Sequence, residues 1–316
     1  MRRLILRRLV LIPIALFVVS IGVFFLVQVV PGEPGRVVLG QYATQAQVAL
    51  WQRQHGLDGS VLARYIRWIS GFVRGQWGTS LTLNVPVRQL VLGRLGNSIL
   101  LGLLAFAFMA PTAVAVGIWQ AHRVGKWSDR ALTLSSVTFS STPEFVTGVI
   151  FLILFAVQVH VFPVDSQVAG TGIGRIRGMI LPAAAVALVS FGHAARMARA
   201  GTTAVLNSPY YRTAVLNGAS KRQLLFRHVL RNALVPTTAV LGSQVAYMLG
   251  GLVIVETLFN YPGLGQLLVN AATDKDIFVL EASALTAALV SMLAILATDI
   301  VYGLLDPRIS WRGIER

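Results

Sequence analysis

NSPYYRTAVLNGASKRQLLFRHVLRNALVP, residues 207–236, is a polar and basic stretch between two long apolar runs. Ser208 is a candidate N-cap with Pro209 at the first helical position, where the missing N–H of proline does no harm. A helix of about two turns should then stop at Asn217-Gly218, because these residues adopt the left-handed conformation most readily. Ser220 opens an S-x-x-Q capping box, which predicts the start of a second helix. The segment is therefore expected to fold as a rigid helix–turn–helix.

The rest of the chain is strongly apolar, with 55% hydrophobic residues, 12% charged residues and a mean hydropathy of +0.69 over 316 residues. A soluble domain carries roughly 25% charged residues, so a soluble fold is excluded. A membrane helix needs about 20 apolar residues. Six runs are candidates: 9–30, 98–119, 134–159, 179–195, 234–255 and 280–302. We therefore predict an all-α polytopic membrane protein, residues 1–316, with a single transmembrane domain of six helices.

Basic residues outnumber acidic ones, with 27 Lys and Arg against 12 Asp and Glu and a net charge of +15. They are distributed over several loops beside apolar runs, as orientation signals are, so no nucleic-acid partner is expected. The positive-inside rule places the head, the loop between the second and third spans, residues 207–236 and the tail on one side. Both termini are therefore predicted to be cytoplasmic.

This orientation leaves residues 31–97 as a long external loop. Thr44 is a candidate N-cap for a helix that continues to about Gln54, and Ser60 for a second helix that continues to about Val73. The external loop is therefore expected to be helical rather than unstructured.

Several kinds of site are excluded by the sequence. The chain has no cysteine, which rules out disulfides, Cys-ligated zinc and iron–sulfur clusters. Its five histidines lack metal-site spacing, and no G-x-x-x-x-G-K-[ST] sequence occurs. We therefore expect no catalytic residue, no metal and no cofactor in this chain.

Polar residues inside apolar spans are candidates for a translocation path. Glu144 is the deepest ionisable residue, and it follows Thr142 and Pro143. Pro143 leaves a backbone carbonyl without its helical partner, which a passage for polar cargo could use. Ser243 and Gln244 in the fifth span are further candidates. Pairing at a helix end or between helices is the alternative role for Glu144.

Three other carboxylates lie near the ends of predicted spans. Glu256 and Glu281 are at external ends, where we expect their carboxylates to reach water. Asp299 lies about one turn from the inner end and is expected to pair with Arg308 or a neighbour. Structural roles are the simpler interpretation for all three.

Residues 207–236 resemble the EAA loop of ABC importer permeases, and most closely the dipeptide/oligopeptide group with Y-x-R-T-A-x-x-x-G…R-H-x-x-R-N-A-L-x-P. The matching residues are Tyr210 or Tyr211, Arg212, Thr213, Ala214, Gly218, Arg227, His228, Arg231, Asn232, Ala233, Leu234 and Pro236. Arg212 stands where the general family has the Glu of EAA. Similar motifs of this group are matched by residues 254–271, by Leu305-Asp306-Pro307-Arg308-Ile309, and by residues 75–80 before Pro86-Val87. The long first external loop looks like that of the B-type permease.

The resemblance implies the type I ABC importer permease fold and a role in peptide import across a bacterial-type cytoplasmic membrane. It implies a second permease subunit, two cytoplasmic ATPase subunits that bind ATP and Mg, an external substrate-binding protein, a di- or oligopeptide substrate, and membrane lipid around the spans. The residues implied to couple to the ATPases are Tyr211, Arg212, Thr213, Ala214, Asn217, Gly218, Ala219 and Ser220.

Four alternatives remain at the level of the sequence. Similar permeases carry nickel chelates or glutathione. An ion-coupled secondary transporter would use Glu144 as its proton or ion site, although no internal repeat supports it. A membrane scaffold would bind partners through residues 207–236 and move nothing. Those residues could also lie on anionic lipid through their Arg and Lys side chains.

Overall fold

The computed structural model describes residues 2–29, 34–40, 42–167 and 172–305. This part of the chain is helical, with one isolated β-bridge between Thr79 and Pro86. The helices are α1 (Arg2–Val29), α2 (Pro34–Leu39), α3 (Gln45–Gln54), α4 (Val61–Val73), α5 (Val87–Ala121), α6 (Trp127–Ser141), α7 (Glu144–Phe151), α8 (Ile173–Leu206), α9 (Pro209–Leu216), α10 (Lys221–Gln223), α11 (Arg231–Leu258), α12 (Leu264–Thr273) and α13 (Ile277–Leu305). Wider π-helical turns, Leu152–Gln158 and Leu224–Leu230, follow α7 and α10.

Five helices are long and apolar enough to cross a membrane: α1, α5, α8, α11 and α13. The pair α6 and α7 passes the same test as one bent span, which would make six. The all-α polytopic fold expected from the sequence is thus confirmed. The chain forms two compact units, one of Leu100–Tyr261 with the stretch from Ala294 onward, the other of Arg2–Ile99 with Pro262–Leu293.

The first unit is built around α8. In its most apolar window 72% of the residues are buried, against 17–28% in the other four long spans. Small residues at the contacts of α8 allow this close packing, since a Cβ on Gly117 of α5 would lie 2.6 Å from the carbonyl oxygen of Ala195 on α8. Likewise, a Cβ on Gly192 would overlap the carbonyl of Ser136 on α6. Helix α8 is therefore the central helix of this unit.

The third apolar run, residues 134–159, is not one continuous helix. Helices α6 and α7 are bent by 107° relative to each other. The break is at Thr142, which is extended with φ −90° and ψ 129°, before Pro143. A residue that precedes proline is disfavoured in the α conformation, and proline has no N–H to continue the helix. Pro143 therefore ends one helix and caps the next.

A partly buried ion pair joins α6 to α8. The Arg199 guanidinium donates to both carboxylate oxygens of Asp129, from Nε to Oδ1 at 2.7 Å and from Nη2 to Oδ2 at 2.8 Å. The Asp129 side chain is 4% exposed, and its Oδ2 also accepts from the backbone N–H of Gly125 at 3.1 Å. This two-pronged geometry sets both the distance and the orientation of the two helices.

The second unit contains α3 and α4, which begin at the predicted N-caps. The Thr44 capping box with Gln47 and the Ser60 cap on the N–H of Ala63 are both formed, which confirms these two expectations. The helices end at Gln54 and Val73, as the sequence indicates.

Asp276 connects residues 80–82 to the start of α13. Its carboxylate accepts from the hydroxyl of Ser80 at 2.5 Å and from the hydroxyl of Thr82 at 3.1 Å. The other carboxylate oxygen caps α13 by accepting from the N–H of Val279 at 3.3 Å. Ser80, the last residue of the motif at residues 75–80, therefore has a structural role in this unit.

Two of the carboxylates near span ends are buried, contrary to the expectation that they reach water. Glu256 is 0% exposed and Glu281 is 3% exposed. Glu281 lines a cavity together with Arg64 and Trp68, which belong to the segment between α1 and α5, and hydropathy alone could not foresee this. The predicted partner of Asp299, Arg308, and the motif residues after Leu305 lie outside the described residues.

Candidate functional site

Helix α9 is held at its N-terminus by the predicted cap. The hydroxyl oxygen of Ser208 accepts from the N–H of Tyr211 at 3.4 Å and donates to the carbonyl of Val205 at 2.5 Å. Pro209 occupies the first turn, as expected. A helix of eight residues is marginal in water by itself, so these bonds to the end of α8 are what keep α9 in place.

The turn after α9 requires a left-handed residue. Gly218 has φ +74°, and its N–H donates to the carbonyl of Val215 at 3.0 Å. A Cβ at this position would meet no atom within 4 Å, so the requirement is for backbone conformation and not for space. The Ser220–Gln223 capping box then starts the next helix, which confirms the predicted helix–turn–helix.

The inner side of α9 packs on a small apolar cluster. Its buried centre consists of Val205 of α8, Val229 of the π-helical turn and Ala233 of α11. Tyr211 of α9 packs against this centre. Nearby, a Cβ on Gly201 would lie 2.9 Å from the carbonyl oxygen of Ala233, so α8 and α11 approach closely below the cluster. The base of the helix–turn–helix is thereby rigidly attached to two membrane helices.

The described residues leave the outer side of α9 uncovered. Leu216 is 85% exposed, and Val215 and Tyr210 are 47% and 43% exposed. Burying such apolar surface stabilises an interface by about 25 cal/mol per Å². The combination of an apolar tip with exposed basic residues is typical of a docking surface, which hydrophobic contacts anchor and charges orient.

The predicted coupling residues divide between these two sides. Arg212, Thr213, Asn217, Gly218 and Ser220 are exposed, Ala214 and Ala219 are half-buried, and Tyr211 packs inward.

Sequence reasoning missed the outermost residue, Leu216. It also missed the stacking of Tyr210 on His228, with ring centroids 6.4 Å apart. The available signal for Leu216 was a large apolar side chain beside the predicted Asn217-Gly218 turn.

A second set of polar residues lies at the bend between α6 and α7. Glu144 is the first residue of α7 and is 8% exposed. A Cβ on Gly251 of α11 would lie 3.1 Å from Glu144 Oε1, and the Tyr247 hydroxyl interacts with the carboxylate. The interhelical contact predicted as the alternative role of Glu144 is thus present.

The other translocation candidates are not gathered into one polar cluster. Ser243 is exposed and donates to the carbonyl of Val240 at 2.8 Å, while Gln244 is half-buried. Ser243 shares a helix face with Tyr247 and Gly251 through i, i+4 spacing. Thr142 donates to the carbonyl of Thr138 at 2.8 Å at the end of α6. Among the described residues there is no group of three or more acidic or histidine side chains that could hold a metal ion.

Family comparison connects this architecture to transport proteins. Residues 113–311 match the family described as binding-protein-dependent transport system inner membrane component. Residues 1–87 match the N-terminal family of such membrane components. Together the two matches take in α9, the bent pair α6–α7 and the helices of the loop after α1.

Individual relatives align over almost the whole chain. A probable peptide ABC transporter permease, y4tP of Sinorhizobium fredii, is 36% identical over 309 residues, 97% of this chain and 99% of its own. The oligopeptide transport system permease AppB of Bacillus subtilis is 31% identical over 96% of this chain and 98% of its own. The glutathione transport system permease GsiC of Escherichia coli is 32% identical over 97% and 98%.

Proposed function

This chain belongs to the inner membrane components of binding-protein-dependent transport systems, and we propose that it forms half of the translocation pathway of an ATP-driven peptide importer. The family assignment and the helices make it a multi-pass membrane permease rather than an enzyme. We further propose the partners of the chain, its orientation in the membrane and its cargo.

Helix α9 carries the proposal for the ATPase partners. It is capped at both ends, attached to α8 and α11 through a buried cluster, and uncovered on its outer side. A displacement of α9 by a partner would therefore be transmitted into membrane helices instead of being absorbed by a flexible loop. Two cytoplasmic ATPases that bind ATP and Mg would supply that displacement, since this chain has no phosphate-binding loop.

The same assignment implies the remaining partners and the location. A second permease subunit would complete the pathway, and an external binding protein would deliver the cargo. We propose that α9 and both termini lie in the cytoplasm and that the chain lies in a bacterial inner membrane, and the basic residues of the loops support this orientation.

The cargo we propose is a di- or oligopeptide, because the relatives named for peptide transport include the 36% identical y4tP. Glutathione is the second candidate, because GsiC aligns at 32% identity over nearly the full chain. Both cargoes combine an ammonium group with carboxylates, so a polar pathway of similar chemistry would serve either. The lining residues proposed for this pathway are Thr142, Glu144, Ser243 and Gln244.

Uptake by the reconstituted complex tests this function. Labelled dipeptide, labelled tetrapeptide and labelled glutathione would be offered to vesicles with ATP inside and with the binding protein outside. The proposal expects uptake of a peptide that stops without ATP and survives collapse of the ion gradients. Uptake that is driven by an ion gradient in the absence of ATP would overturn the proposal in favour of a secondary transporter. ATP-driven uptake of glutathione, with no uptake of either peptide, would reassign the cargo.

A further inference from the structure

A cavity in the second unit contains a buried carboxylate that the transport function does not use. The cavity has a volume of about 270 Å³ and lies between α1, α4, the loop that follows α4, and α13. Glu281 lines it and is only 3% exposed. Its walls include four aromatic side chains, Phe24, Trp68, Trp77 and Phe278.

The Glu281 carboxylate, unlike two other buried carboxylates of this protein, accepts no hydrogen bond from the described residues. Asp129 is bound by Arg199, and Asp276 accepts from Ser80 and Thr82. Within residues 2–29, 34–40, 42–167 and 172–305, no group donates a hydrogen bond to the Glu281 carboxylate. Arg64 acts on Glu281 through its charge alone. A buried carboxylate without hydrogen bonds is costly, so a donor from outside the chain would stabilise it strongly.

The chemistry of the cavity selects a cation with hydrogen-bond donors. An ammonium group donates up to three hydrogen bonds, which Glu281 does not receive from the described residues. Aromatic faces attract cations, most strongly when water is excluded. Four aromatic side chains in the wall supply such faces.

The cationic residues on the wall indicate that the ligand also carries a negative group. Arg64 and Arg67 both line the cavity; Arg67 donates to the carbonyls of Gly56 and Asp58 at 3.2 and 2.8 Å, and its guanidinium lies 3.9 Å from the Asp58 carboxylate with more than half of the side chain exposed. A ligand with an ammonium near Glu281 and an anionic group near the arginines would match both signs. The volume is below the range of about 300–1,000 Å³ usual for drug-sized ligands, which favours a small zwitterion.

The position of the cavity points to a lipid as the source of this zwitterion. Glu281 lies four residues inside α13, which begins at Ile277, and Phe24 lies three residues before the end of the apolar span of α1 at Val27. Such positions are at the edge of the hydrocarbon core, where headgroups lie and where Trp side chains are enriched. We propose that this cavity binds the ammonium-bearing headgroup of a phospholipid, with Glu281 as the partner of the ammonium.

Retention of lipid by the full-length chain tests the proposal. The chain would be reconstituted in nanodiscs with equal amounts of phosphatidylethanolamine and phosphatidylglycerol, extracted in mild detergent, and its retained lipids quantified by mass spectrometry. We expect phosphatidylethanolamine to be retained about five-fold or more over phosphatidylglycerol, which corresponds to about 1 kcal/mol. Equal retention of the two lipids by the wild-type chain would by itself overturn the proposal.

Two matched variants test whether Glu281 is responsible for the preference for phosphatidylethanolamine. Glu281→Gln keeps the shape of the side chain and removes its charge, so the preference should fall to the bulk ratio. Asp274→Asn removes an exposed carboxylate from the end of α12, outside the cavity, and should leave the preference unchanged. An unchanged preference in Glu281→Gln would also overturn the proposal.

A final arm distinguishes a lipid from a soluble zwitterion. Dialanine at millimolar concentration carries both charges but no acyl chains, and it should not displace the retained phosphatidylethanolamine. Displacement by dialanine would assign the cavity to a soluble ligand and would contradict the lipid assignment.

Discussion

At Gly218 a single backbone conformation decides whether α9 can end where it does. The residue has φ +74° and open space around its missing side chain. The sequence predicted this turn because Asn-Gly is the pair that best tolerates left-handed geometry. The exposed Leu216 and the buried Glu281 were not predicted in the same way, because exposure depends on which distant segments cover a side chain.

Replacing Gly218 by Val should uncouple ATP hydrolysis from transport. A β-branched residue resists the left-handed conformation by roughly 1–2 kcal/mol, which shifts the turn and with it the outer face of α9. Transport per ATP hydrolysed by the reconstituted complex should fall several-fold while the amount of membrane-inserted chain stays the same.

The matched control at this position is Gly218→Asn, because Asn tolerates the left-handed region. It should retain most of the coupling. Wild-type coupling in a normally inserted Gly218→Val chain would refute a conformational role for this glycine.

Asp129→Asn should destabilise the chain by about 2–5 kcal/mol, because it leaves the Arg199 guanidinium without its bidentate carboxylate partner. Thermal unfolding of the purified chain in detergent measures this loss. Asp274→Asn, in which an exposed carboxylate is changed, serves as the control and should unfold within about 0.5 kcal/mol of wild type. Equal stability of the two variants would show that the Asp129–Arg199 pair does not hold α6 to α8.

At the scale of whole elements, the sequence predicted where several helices begin and missed how one pair is arranged. The caps at Thr44, Ser60, Ser208 and Ser220 are local hydrogen bonds, so a few residues suffice to identify them. The 107° bend between α6 and α7 was missed because apolar composition continues through it. Proline can kink a helix slightly or break it, and the packing of neighbouring helices decides between these outcomes.

Helix α5 offers a direct test of close helix packing. Gly117→Ala would place a Cβ 2.6 Å from the carbonyl oxygen of Ala195, so α5 and α8 would be forced apart at a cost of about 1–3 kcal/mol. Gly96→Ala is on the same helix with no atom within 4 Å of the added Cβ, and it should be neutral or stabilising by up to about 1 kcal/mol. Unfolding in detergent measures both, and the reverse order of stabilities would contradict the packing described for α8.

At the scale of the whole molecule, composition alone identified a polytopic membrane protein, and residues 207–236 identified the transport family. Apolar length and basic loops carry that information because the bilayer constrains every span in the same way. The translocation path could not be predicted equally well, since Glu144 meets its neighbours Tyr247 and Gly251 only through tertiary packing. The central claim for the molecule is that α9 receives the motion of an ATPase partner.

Site-specific cross-linking from α9 is the most direct test of that claim. The chain contains no cysteine, so Leu216→Cys introduces a unique thiol at the most exposed apolar residue of α9, and Val124→Cys provides an exposed control after α5, between the second and third spans. In membranes that contain the complete transporter, the thiol at position 216 should cross-link to an ATPase subunit in a nucleotide-dependent manner, and the thiol at position 124 should do so far less. Failure of position 216 to reach any ATPase, with both chains present and active in uptake, would contradict the account.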